Sequence, residues 1–294
     1  MKSTLLIFTA AALSSALCAT AAERYSLWPR RPAEIEQARQ LIKERRPDEA
    51  VRLLLPLVGL EGIAGREARQ LVGVVNAPVY LSLRHPAAAV YTVRRGDHLT
   101  KVASSLHCPY ELLMLLNGIV DPGAIHVGQR LVYVPMQQRV EINLPRREIT
   151  VWNGELLVSS YNITGVEETL VSGLADQDAA VTQRDGYVDG SKVPAWSPLM
   201  VCSNRRLTLS NGIIIAADSK ATGLTLCMAQ TDLNELALLV SVGSPVHIVK
   251  RAADIPEVSQ GQAWRRETLP GQRNDPICVT LHKKASFARG HLIE

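Results

Sequence analysis

Apolar residues recur at helical spacing near the start of the chain, change to a mixed pattern between residues 91 and 135, and then alternate with polar residues. Ile35, Ala38, Leu41 and Ile42 trace one helical face, which Arg45-Arg46-Pro47 stops. Asp48 is an N-cap candidate for a second helix, Glu49 to Leu57, with Ala50, Val51, Leu53, Leu54 and Leu57 apolar. A third helix is expected from Arg66 to Val75, through Ala68, Leu71 and Val72. A short linker from Pro78 to Ala89 follows.

Tyr91-Thr92-Val93 is a β-prone run broken by Gly96-Asp97. Leu99, Val102, Ala103 and Leu106 fall at helical spacing. Pro109 is suited to open a second helix, whose face is Tyr110, Leu113, Met114 and Leu116. Asn117-Gly118 closes it, since both residues tolerate the left-handed cap conformation. Leu131 to Val134 is a second β run, so the unit reads β-α-α-β.

Beyond Pro135, Val140, Ile142 and Leu144 alternate with polar residues, as in a half-buried strand. Asn153-Gly154, between two β runs, predicts a hairpin with a type I′ turn. Leu207 to Leu209, Ile213 to Ile215 and Pro245 to Val249 are further β runs. Asp232 to Val240 is the one convincing helix of this region. After Lys250 the chain is polar and basic, and a tail over 251–294 is expected.

Composition adds an address. In MKSTLLIFTAAALSSALCATAAE, Lys2 precedes an apolar core from Leu5 to Leu17, and Ala19-Thr20-Ala21 has the small residues of a cleavage site. A signal peptide over residues 1–21 and export to the periplasm or cell envelope are therefore expected. Leu17 stands where a lipobox before Cys18 requires a small residue, which argues against lipidation. No later apolar run is long enough for a transmembrane segment. The net charge of +4 is too small to imply nucleic acid. Cys108, Cys202, Cys227 and Cys278 allow two disulfides in three connectivities, or free buried thiols. Their spacing fits no zinc pattern, and no metal or other cofactor is expected. Asp176-Gln177-Asp178 and Asp185 with Asp189 read as solvated loop charges.

Tyr91-Thr92-Val93, Gly96-Asp97, Leu99, Val102-Ala103, Leu112, Asn117-Gly118, Ile125, Val127-Gly128-Gln129, Leu131 and Val134-Pro135 together resemble a LysM domain, spanning 90–136. The resemblance implies binding of N-acetylglucosamine-containing glycan, most often peptidoglycan. The implied groove lies between Gly96, Asp97, His98 and Leu99 on one loop and Asn117, Gly118 and Ile119 on the other. For Gly96 and Asn117 a purely conformational role is equally open. Residues 24–80 resemble a single tetratricopeptide-like helical hairpin, read as a docking or spacer element that can recruit a protein partner.

The order of pieces over 139–250 resembles an L,D-transpeptidase domain. Val193-Pro194-Ala195-Trp196-Ser197-Pro198, Ser210-Asn211-Gly212-Ile213-Ile214-Ile215 and Val242-Gly243-Ser244-Pro245-Val246 carry the likeness. That family uses a cysteine thiolate in an S-H-G-C-x-R signature. Here the ungapped register puts Thr222-Gly223-Leu224-Thr225-Leu226-Cys227 on it, with Thr225 at the nucleophile. The alternative register makes Cys227 the nucleophile, but Leu226, Thr225 and Ala229 then replace the glycine, histidine and arginine. None of the seven histidines lies between the hairpin and Cys227, and His247 reads as a sheet histidine. The expected fold is thus multidomain α+β: an N-terminal helical hairpin, a βααβ LysM module and a β-rich, L,D-transpeptidase-like sandwich domain. The expected function is peptidoglycan binding with a degenerate, inactive second domain. The rival readings are a divergent transpeptidase acting through Cys227, and a structural assembly protein that recruits its partner through the N-terminal helices.

Overall fold

The computed structural model describes residues 32–166, 176–194, 197, 199–200, 203–217 and 224–249. The signal peptide, the tail over 251–294, Trp196, Cys202, Cys278 and Thr222-Gly223 lie outside the described residues.

Three helices come first: α1 (Ala33–Lys43), α2 (Pro47–Val58) and α3 (Gly62–Tyr80). Asp48 does not cap α2. Pro47 takes the first helical position, where its missing N–H is harmless, and Asp48 and Glu49 fill the electropositive first turn. The third helix also outruns its expected end at Val75. It passes through Pro78 to Tyr80, because Ala77 and Tyr80 are buried and their packing outweighs the hydrogen bond that proline removes.

A larger departure concerns what these helices do. Ile35, Ala38, Ala50, Leu54, Val58, Ala68 and Val72 form one core with Trp152 and Leu157 of the β domain. The hairpin is therefore the outer layer of that domain, and not a detached spacer. Gly73 is where α3 comes closest, since a Cβ there would stand 3.1 Å from Ser159 Oγ and from the Ser160 nitrogen. Beneath α3, Arg69 Nε donates to both Glu148 carboxylate oxygens at 2.9 Å, and both side chains are buried.

The βααβ unit consists of β1 (Ala89–Thr92), α4 (Leu99–Ser105), α5 (Tyr110–Asn117), a 3-10 turn (Pro122–Ala124) and β2 (Arg130–Tyr133). β1 and β2 pair antiparallel, Tyr91 opposite Leu131. Pro109 is the N-cap of α5 and does not open it, and Gly118 closes it at φ +61°.

The β domain contains β3 (Gln138–Asn143), β4 (Glu148–Asn153), β5 (Leu156–Val166), β6 (Gln177–Val188), β7 (Ser191–Val193), β8 (Asn204–Leu209), β9 (Ile214–Ala216), β10 (Thr225–Met228), α6 (Gln230–Leu239) and β11 (Pro245–Val249). Strand order is β11-β3-β4-β5-β10-β9-β8-β6-β7, and β11 also pairs with β6. The two expected layers are thereby joined along both sides into a closed barrel, with β7 as a flap on β6. Closure leaves few free edges. The β4–β5 turn is Gly154-Glu155, not Asn153-Gly154: Asn153 faces Leu156 across the ladder, and Gly154 alone has positive φ, at +58°. That is the signature of a type II′ turn. The both-positive type I′ pair sits instead at Asp189-Gly190, joining β6 to β7. Asp178 and Asp185 lie within β6, whereas Asp176 precedes the strand and Asp189 is in the β6–β7 turn.

The LysM-like unit is not an appendage. Leu99, Leu112, Leu113 and Leu131 belong to the same apolar core as Ile142, Leu207 and Leu236 of the barrel. The connection from Leu81 to Ala88 is packed too, with Leu81 and His85 buried.

Candidate functional site

The first candidate loop is built on Asp97. Its carboxylate accepts the Tyr91 hydroxyl at 2.7 Å and the Arg94 N–H at 2.8 Å. The Arg94 backbone bond, then the Tyr91 hydroxyl, holds the Asp97 carboxyl below its usual range. Gly96, at φ +86°, supplies the left-handed turn this loop requires. Gly96 and His98 are exposed, whereas Leu99 is 2% exposed and part of the core. Leu99 therefore supports the loop from below.

The second loop hangs from Asn117. Its amide donates to the carbonyls of Leu113 and Val132 at 2.8 Å, and its oxygen accepts the Val132 N–H at 2.7 Å. The side chain is thus a clamp between α5 and β2. Tyr91, which holds the first loop, faces Leu131, and Val132 is the next position on that strand. The two loops hang from neighbouring rungs of one two-stranded ladder.

Among the predicted residues, Gly96, His98 and Gly118 present surface, Ile119 is half-buried, and Asp97 and Asn117 use their polar atoms internally. Two residues went unnamed as site candidates: Val120 is 59% and Val127 66% exposed, beside Ile119 and Gly128. Large apolar residues at loop positions were the available signal.

The barrel offers a different picture. Cys227 lies on β10, half-buried, between Gly165 on β5 and Ala216 on β9. A Cβ at Gly165 would stand 3.2 Å from the Cys227 Cβ, so the glycine makes room for this side chain. Thr225, the residue at the nucleophile position in the ungapped register, is buried on the same strand. His247 is on β11, four strands from β10 in either direction around the barrel. Its Nδ1 is 2.8 Å from the Asp178 carboxylate, directly across the β11–β6 ladder. It is a cross-strand partner and is out of reach of Cys227.

Cys108 is a free, buried thiol whose pKa burial pushes up to about 12. Every two-disulfide connectivity of the four cysteines would use it, so none of the three forms here. Among the described residues no group of three or more His, Cys, Asp or Glu side chains could hold a metal ion. No described helix is long and apolar enough to cross a membrane.

No curated protein matches the chain. Among solved structures it is similar to a point mutant of Enterococcus faecium L,D-transpeptidase, at 12% identity and a TM-score of 0.28. The match covers 38% of this chain and 49% of that one, so it spans about half of that protein's length. The family model of the LysM domain matches residues 91–133, the segment that contains both loops. Residues 91–133 are a LysM domain.

Proposed function

We propose that the chain is an exported peptidoglycan-binding protein that holds N-acetylglucosamine-containing glycan through its LysM domain. The supporting observation is the pair of loops hung from neighbouring rungs of the β1–β2 ladder by Tyr91–Asp97 and Asn117–Val132. They leave backbone at Gly96 and Gly118, the His98 ring and the apolar Ile119, Val120 and Val127 available for a sugar. A sugar ring has an apolar face and a rim of hydroxyls, which suits such a mixture of aliphatic side chains and backbone polar groups.

The barrel, whose sequence resembles L,D-transpeptidases, acts in this reading as an inactive scaffold. A thiol nucleophile needs a base within hydrogen-bond reach. The resemblance places Ile215-Ala216-Ala217 where that family has isoleucine-histidine-glycine, so Ala216 stands at the histidine position.

The test is sedimentation of the mature chain with purified sacculi, followed by digestion and mass spectrometry of the muropeptides. Co-sedimentation with an unchanged muropeptide profile is expected. New cross-links, or exchange of the terminal D-residue, that vanish in Cys227→Ala would establish a thiol enzyme instead. Failure to sediment would remove the glycan reading.

A further inference from the structure

A cleft of about 930 Å³ opens between the LysM domain and the barrel. Domain junctions are a common location for ligand clefts, and this volume is in the range that takes a substantial ligand. One wall comes from Thr100 and Ser104 of α4 and from His107. The other comes from Arg139 at the start of β3, Gln183 on β6 and Lys192 on β7. Strands β3, β6 and β11 form one arc of the barrel, with Cys227 on the opposite side. The cleft is therefore separate from any site built around that thiol.

We propose that this cleft receives the acidic peptide branch of the glycan that the LysM loops hold. The inference rests on the glycan reading above, and two observations carry it further.

The first is continuity. Thr100 in the cleft wall directly follows Leu99 of the first glycan loop, and both belong to α4. That helix has 7 residues and is about 10 Å long at 1.5 Å per residue. An extended peptide advances about 3.3–3.6 Å per residue, so three or four residues branching from a sugar at the loop reach its far end.

The second is charge. The cleft is lined by Arg139, Arg184 and Lys192 against Glu111 and Asp185. Both carboxylates are engaged: Glu111 by Arg184 and Arg205, and Asp185 by Lys192 at 2.9 Å. Arg139 makes no ion pair among the described residues; its charge interacts at longer range with Glu141, two residues along β3, and its guanidinium lies 5.7 Å from the Trp152 ring centroid. An incoming carboxylate meets one cation held in no ion pair, Arg139, and a second, Lys192, that can swing from Asp185. Gln183 and the hydroxyls of Thr100 and Ser104 can bond peptide amides.

The test uses the whole mature chain and one peptidoglycan oligosaccharide, with its peptides intact and after an amidase has removed them. Titration calorimetry should give about tenfold tighter binding of the peptide-bearing form. Arg139→Gln combined with Lys192→Gln should abolish that preference while binding of the stripped glycan stays unchanged. In the wild-type chain the preference should shrink as salt is raised, a readout that does not depend on how the variant folds. Equal affinity for the two forms, or a preference that survives both the substitutions and high salt, overturns the proposal and leaves glycan binding intact. No binding of the stripped glycan removes the glycan reading itself, and this proposal with it.

Discussion

The Glu111 carboxylate lies 2.7 Å from the Arg205 guanidinium, joining helix α5 of the LysM domain to strand β8 of the barrel. Arg184 on β6 approaches the same carboxylate at 2.9 Å, and all of these side chains are at least nine-tenths buried. The LysM domain is thus fixed to the barrel through a desolvated Arg–Glu–Arg group as well as a shared apolar core. Burial opposes ionisation of Glu111, but the Arg184 and Arg205 charges outweigh it and hold its pKa at about 2.

Glu111→Gln should lower the urea unfolding free energy by about 3–5 kcal/mol, because it leaves two guanidiniums buried without their counter-charge. The pH dependence has a definite sign. The folded carboxyl ionises near 2 and the free one near 4.5, so the contribution is complete above pH 4.5 and is lost as pH falls towards 2. Unfolding curves across that window should lose this component of their slope in the variant. A variant with the wild-type slope would show that Glu111 does not link acid to stability.

Arg69 and Glu148 bind the N-terminal helices to the barrel in the same way, with Arg69 also donating to the Val58 carbonyl at 2.7 Å. Arg69→Met alone should cost about 3–5 kcal/mol, and Arg69→Met with Glu148→Leu should recover much of that loss. Chemical denaturation of the single and double variants checks the pair. Additive losses would contradict it.

Removal of residues 33–80 should expose Trp152 and Leu157, which are each 4% exposed in the intact chain. The shortened protein is expected to bind a hydrophobic dye and to aggregate. A soluble, cooperatively folding product would show that the helices are separable from the barrel.

Asn117→Ala removes three hydrogen bonds at once, two from α5 to Val132 of β2 and one within α5 to the Leu113 carbonyl. At about 1 kcal/mol per bond, stability should fall by roughly 2–3 kcal/mol. Glycan affinity should fall with it as the second loop loosens. Calorimetric melting and glycan titration on the same variant measure both. Lost affinity at full stability would make Asn117 a direct ligand contact instead of a clamp.

Cys108 should resist alkylation in the folded chain, because its thiol is buried and its pKa is raised to about 12. Mass spectrometry after iodoacetamide at mildly alkaline pH should find it unmodified until denaturant is added.

Legibility in the sequence followed the range of the interactions. The LysM segment could be read residue by residue because turn glycines, caps and short apolar periods are local. Gly118, for instance, closes its helix in the left-handed conformation that Asn117-Gly118 announces. The Asn153-Gly154 signal pointed to the right hairpin, but the ladder register moved the turn one residue on, to Gly154-Glu155. Register is fixed by which faces of β4 and β5 meet the core, information that no dipeptide holds. Leu99, Asp97 and Asn117 were named for a groove, and the structure engages their side chains within the LysM segment. Their direction depends on partners such as Tyr91 and Val132, and the chain pattern does not specify those contacts.

The sequence alone thus determined the helices, most of the strands in their order and the LysM identity of residues 91–133, because propensity, capping and apolar period act over a few residues, whereas β6, β7 and β10 were not legible in it. Tertiary structure alone decided that the helical hairpin is a wall of the barrel, that β11 closes on β6, and that Cys227 and His247 stand on opposite sides. It also brought Glu111 between two arginines of the paired strands β6 and β8, both far from it in the chain. Each of these outcomes requires burying surfaces that are far apart in sequence. Such burial is a property of how the layers meet, and no single segment encodes it.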